Sequence, residues 1–111
     1  MPVSEILTAV VQATASGDTT IVAADPTRKI KVLHFALTVA DDVIVRWKSD
    51  GATFLTGSLH FDKKVNTTFI SPHVVIGEGW LLETTVNQGL VLNKSNGILV
   101  GGYVVYYKEE W

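Results

Sequence analysis

The sequence predicts an all-β protein: a single-domain antiparallel β-sandwich of jelly-roll type with about eight strands. Three observations carry this. Apolar and polar residues alternate with a period of two along most of the chain, as a half-buried strand requires. Turn residues interrupt the alternation about every ten positions. The chain has 111 residues, 47% of them hydrophobic, enough for one core and too few for two.

Val10 to Ala15 and Thr19 to Ala23 flank Ser16-Gly17-Asp18 and read as a hairpin. Asp25-Pro26 marks a turn, because proline disfavours helix in the residue before it. Lys29 to Ala40, KIKVLHFALTVA, is a long strand, first alternating and then nearly all apolar. Such a run suggests cover on both faces, the core on one side and a partner on the other. Asp41-Asp42 turns the chain into Val43 to Ser49, where Val43, Val45 and Trp47 face one way and Arg46 and Lys48 the other. Beyond Ser49-Asp50-Gly51 lie strands at Phe54 to Phe61 and at Val65 to Ile70, the second rich in β-branched residues. Ser71-Pro72-His73 and Gly77-Glu78-Gly79 bracket a loop, and Trp80 to Val86, Gly89 to Lys94 and Ile98 to Lys108 complete the set.

Residues 1–9 are read as an N-terminal arm and 10–111 as the sandwich. Ser4 to Val11 would also fit a short helix with Ile6, Leu7, Val10 and Val11 on one face, but an arm followed by a strand is the preferred reading.

Composition narrows the function. The nine basic and eleven acidic residues are scattered, so the basic stripe of a nucleic-acid binder is missing, and Arg28-Lys29-x-Lys31 reads as the solvated start of a strand. Without cysteine there is no disulfide, thiolate nucleophile or Cys-based zinc site. No apolar run approaches the roughly 20 residues that cross a bilayer, and the first residues lack the features of a secretion signal, so synthesis in the cytoplasm and no membrane partner are expected. With only 18% charged residues, part of the surface is expected to meet another protein.

Enzymatic candidates are few. His60-Phe61-Asp62 places a histidine and a carboxylate on one strand face, and a distant His73 would complete the ligand set of a jelly-roll iron enzyme. Asp62 falls in a turn, however, and His73 follows too closely for the usual separation. His34, His60 and His73 are isolated from one another, and no Gly-x-Ser-x-Gly elbow or phosphate-cradling glycine loop occurs. Hence no enzymatic activity, no cofactor and no metal are expected. His34 reads as a hydrogen-bonded, half-buried or interface histidine. Trp47 and Trp80 read as core. Tyr103, Val105 and Tyr107 share one face of the last strand while Gly102, Val104 and Tyr106 share the other, and either face would serve as a sugar-stacking platform.

The ends are oily. Trp111 closes the chain and Ile6 and Leu7 precede the sandwich. Burying an indole removes on the order of 150–250 Å² from water, and a neighbouring subunit would supply the pocket.

The segments TIVAADPTRKIKVLHFALTVADDVIVRWKSDGATFLTG and GWLLETTVNQGLVLNKSNGILVGGYVVYYKEE together resemble small β-sandwich virion proteins of tailed bacteriophages. The hairpin into a Lys-x-Lys-x-Leu strand, Gly79-Trp80, the Gly89 to Asn93 strand and Gly101-Gly102-Tyr103 carry the resemblance, which spans residues 10 to 108. It implies a capsid decoration (cement) protein, a homotrimer bound to the outer surface of the major capsid protein shell and so located on the virion. Under that reading Ile6, Leu7 and Trp111 make subunit or capsid contacts, with His34 and the outer face of Phe35, Leu37 and Val39 between subunits. The alternative is a receptor- or glycan-binding module of a phage head fibre or tail.

Overall fold

The structure, a computed structural model, describes residues 5–50 and 53–110. The described residues form ten strands: β1 (Leu7–Ala13), β2 (Gly17–Val22), β3 (Arg28–Val39), β4 (Val43–Ser49), β5 (Thr53–Phe54), β6 (Leu59–Phe61), β7 (Thr68–Ile70), β8 (Leu82–Glu83), β9 (Leu90–Lys94) and β10 (Val100–Glu110). No helix occurs among the described residues. The first sheet runs β1-β10-β3-β7, with β8 also on β3; the second runs β2-β9-β4-β5, with β6 also on β4. All pairings are antiparallel. β5 and β6 share one flank of β4, and β7 and β8 share one flank of β3, so ten strands fill eight positions. Each sheet is four positions wide, and the chain alternates between them in the order of a jelly roll.

That alternation corrects the hairpin reading of β1 and β2. The two lie in different sheets, and residues 14–16 carry the chain across the sandwich edge. Asp41-Asp42 and residues 95–99 make equivalent crossings. Turn residues mark a reversal in both geometries, so composition alone does not separate a hairpin from a crossover. β1 also starts earlier than expected: Leu7 pairs with Tyr106, which brings residues 7–9 into the sheet.

The core lies between the sheets. β4 contributes Val43, Val45 and Trp47, as its alternation predicts, and β9 contributes Leu90 and Leu92. Phe35 of the first sheet meets Trp47 of the second edge to face, with ring centroids 5.4 Å apart. β3 keeps its core face by means of a bulge. Val105 pairs with His34 but Tyr106 pairs with Val32, which leaves Leu33 as the extra residue. Ile30 and Val32 before the bulge, and Phe35, Leu37 and Val39 after it, therefore all point inward. The last three are 5%, 0% and 8% exposed, which corrects their expected place on an outer face between subunits.

Lys94 closes one end of the sandwich. It follows Leu90 and Leu92 on the inward side of β9, and its ammonium donates to the Ala13 and Ile98 carbonyls, both at 2.6 Å. Those carbonyls border the 14–16 and 95–99 crossings, so one side chain ties the two together. Burial depresses its pKa.

Candidate functional site

The outer faces of the two sheets differ. On the second, Arg46 and Lys48 from β4 stand beside Phe54, with the Arg46 guanidinium 3.8 Å from its ring centroid. Lys48 donates to Asp18 at 2.8 Å, and Asn93 donates to the other Asp18 oxygen at 2.7 Å. This is a paired, solvated surface.

The first sheet's outer face divides along β3. Beside the first half of that strand, Lys31 is buried, with its ammonium 2.8 Å from Glu109, 3.6 Å from Glu83 and 3.6 Å from the Trp80 ring centroid. Burial pulls the Lys31 pKa down, but the Glu109 hydrogen bond and the nearby negative charges outweigh it and hold the pKa above that of a free lysine. Trp80, expected in the core, is 46% exposed and lies against this ammonium. Its neighbour Gly79 has φ of 130°, which takes the backbone off the regular strand path that would have buried the indole.

The bulge organises the middle. The Leu33 carbonyl accepts from the Val74 amide at 3.1 Å, and the Phe35 carbonyl accepts from the Ser71 amide at 2.9 Å. These bonds hold the segment between β7 and β8 along β3 and lay His73 over His34, with ring centroids 3.7 Å apart and planes 22° from parallel. His34 is buried, and both its nitrogens are engaged: Nδ1 with Ser71 Oγ at 3.0 Å and Nε2 with Tyr103 Oη at 2.9 Å. Ser71 Oγ accepts from the Phe35 amide at 2.8 Å and donates to the Pro72 carbonyl at 3.0 Å. With the serine proton so used, His34 Nδ1 carries the hydrogen and Nε2 accepts from the Tyr103 hydroxyl. This imidazole is a structural brace joining β3, β10 and the 71–76 segment.

Beside the second half of β3 one row of the face is apolar and open. Val10 pairs with Tyr103, Tyr103 with Ala36 and Ala36 with Ile70, which makes one row across four strands. Val10 is 74% exposed, Ile70 63% and Tyr103 39%. The rows on either side, Gln12-Gly101-Thr38-Thr68 and Thr8-Val105-His34, are mainly polar. Strand spacing makes the apolar row about 14 Å long.

Of the expected contact residues, His34 lies beneath this face, Ile6 is exposed just before β1 and Leu7 is half-buried within it. Trp111 lies outside the described residues. His60 and Asp62 line a shallow pocket of about 510 Å³ beside the second sheet, together with Asp42, Ile44, Val65 and Asn66. His73 is held against His34 on the other sheet, so the three do not converge. No group of three or more His, Cys, Asp or Glu among the described residues is arranged to hold a metal ion. The roles of Ser71 and Lys31 had no separate signal, because a serine before a proline and a lysine in an alternating strand both read as solvated. No family model, no curated protein and no solved structure matches this chain.

Proposed function

We propose that this chain is a structural virion protein, a capsid decoration subunit that assembles as a homotrimer and binds the outer surface of a major capsid protein shell. The single observation that carries the reading is the open Val10-Tyr103-Ala36-Ile70 row, which crosses all four strand positions of the first sheet's outer face. The resemblance of residues 10 to 108 to phage virion sandwiches supports it and is the source of the trimer. Fully burying one large apolar side chain contributes about 1.5–3 kcal/mol, and association costs absorb much of that. Each subunit therefore binds weakly, and stabilisation comes from many contacts engaged together.

The test is co-sedimentation with shells assembled from the major capsid protein of the phage that carries this chain. The wild type pellets with the shells, whereas Ile70→Glu, which sets a charge on the open row without touching the core, binds at least tenfold more weakly. A wild type that stays in the supernatant at every concentration defeats the reading.

One observation favours glycan binding as a second reading: Trp80 and Tyr103 are exposed aromatics on this same face. Titration with glycans, followed by indole fluorescence, distinguishes the two. Saturable quenching abolished by Trp80→Ala would support the second.

A further inference from the structure

Four strand positions end the two sheets, and three of them are guarded. β5 and β6 have only two and three residues, and β7 and β8 three and two. β2 begins with Gly17 and Asp18, and its pairing is irregular between Thr20 and Val22. Short length, charge and irregularity are the usual means by which an edge avoids pairing with another chain. β1 has none of them. It offers seven residues, LTAVVQA, with no charge, proline or glycine, in unbroken register with β10. Among the described residues no strand pairs with its far side. Its register turns the backbone groups of Ala9, Val11 and Ala13 toward β10 and leaves those of Thr8, Val10 and Gln12 along the open edge.

The strand is also self-complementary. Read from either end, LTAVVQA gives the same order of apolar and polar residues, centred on Val10. Antiparallel pairing of two copies about a two-fold axis through Val10 sets Thr8 opposite Gln12 on the outer face and Ala9 opposite Val11 on the inner, with Val10 facing Val10. No like charges meet along this strand, and Asp18 on the neighbouring edge is already paired with Lys48. The two apolar rows join at the axis, so the most exposed member of each is covered.

We infer that a second copy of this chain docks on β1, strand to strand, and forms a two-fold dimer with one continuous sheet. A ladder of seven residues runs about 24 Å. A strand edge of that length falls short of the roughly 800 Å² per partner that a standard interface buries. The dimer is accordingly concentration-dependent. It uses a sheet edge, so it is compatible with a three-fold assembly through other surfaces and does not depend on shell binding.

The test needs only the purified chain. Sedimentation velocity from about 10 μM to about 1 mM spans the range where a contact of this size dissociates. Wild type is expected to associate in multiples of two. Val10→Lys, which opposes two ammonium groups at the axis, halves the mass of the largest species, and Val10→Thr, which keeps strand propensity without charge, leaves it unchanged. Hydrogen exchange of the Thr8, Val10 and Gln12 amides, which face the open edge, slows as wild-type concentration rises. Wild type that stays monomeric throughout, or association that stops at three copies or persists unchanged in Val10→Lys, overturns the inference, as does amide exchange independent of concentration.

Discussion

Trp47 is fully buried between the sheets, yet its indole N–H meets no acceptor. A buried unpartnered donor carries a desolvation penalty that packing of the ring must outweigh. Trp47→Phe removes the donor and keeps most of the ring, so the expected loss of stability is under about 1.5 kcal/mol, against about 3–5 kcal/mol for Trp47→Ala. Urea midpoints of the two variants check the ratio. Gly102 sits at the opposite extreme. Its φ is 141°, and a Cβ there would lie 1.9 Å from the Ala36 carbonyl oxygen, which is backbone and cannot swing away. Gly102→Ala is therefore expected to cost about 2–4 kcal/mol, measured by chemical denaturation. Because Ala36 belongs to the open row, the same substitution should also weaken shell binding.

Among the elements, β3 shows how far sequence reading reaches. Its extent was legible, Lys29 to Ala40 against Arg28–Val39, because a long β-branched and apolar run is unmistakable. Its facing was not. Phe35, Leu37 and Val39 cannot share an outer face with His34 under strict alternation, and only the extra residue at Leu33 reconciles them with Ile30 and Val32. A bulge is specified by hydrogen bonds to a distant segment, here Val74, and leaves no local trace. The candidate face was half legible for the same reason. The split of Tyr103 and Tyr107 from Val104 and Tyr106 followed from alternation within β10, but the row through Val10 and Ile70 needed the register of four strands. The expected strands from Phe54 to Phe61, Val65 to Ile70 and Trp80 to Val86 shrink to pieces of two or three residues. Strand propensity there exceeds the length of partner available. Lys94 ties two crossings that composition marks only as turns. Lys94→Met leaves both carbonyls without their donor, and a loss of about 1–3 kcal/mol in thermal or urea unfolding is expected.

For the whole molecule, acid is the informative perturbation. The Lys48 hydrogen bond, with that of Asn93, holds the Asp18 carboxyl below the usual range, and the Thr27 amide does the same for Asp25. A carboxyl with a lower pKa folded than unfolded binds fewer protons in the native state, so its contribution is present above about pH 4 and is lost as pH falls through the folded value. Stability is thus expected to decline below about pH 4, and Asp18→Asn with Asp25→Asn should flatten that decline in urea midpoints measured from about pH 5 to about pH 2.

The exchange of the chain between sheets at nearly every turn has a kinetic consequence. The first sheet is centred on β10 and β3, and among the described residues β1 pairs with β10 alone, some ninety positions away. The first sheet cannot close until late, because the strand that unites it follows the other nine described strands in the chain. Local pairing of β4 with β5 and β6 needs no such wait, but completing the first sheet requires residues 100–110 and closure of long loops, which puts folding on the slow, millisecond-to-second side of single-domain rates.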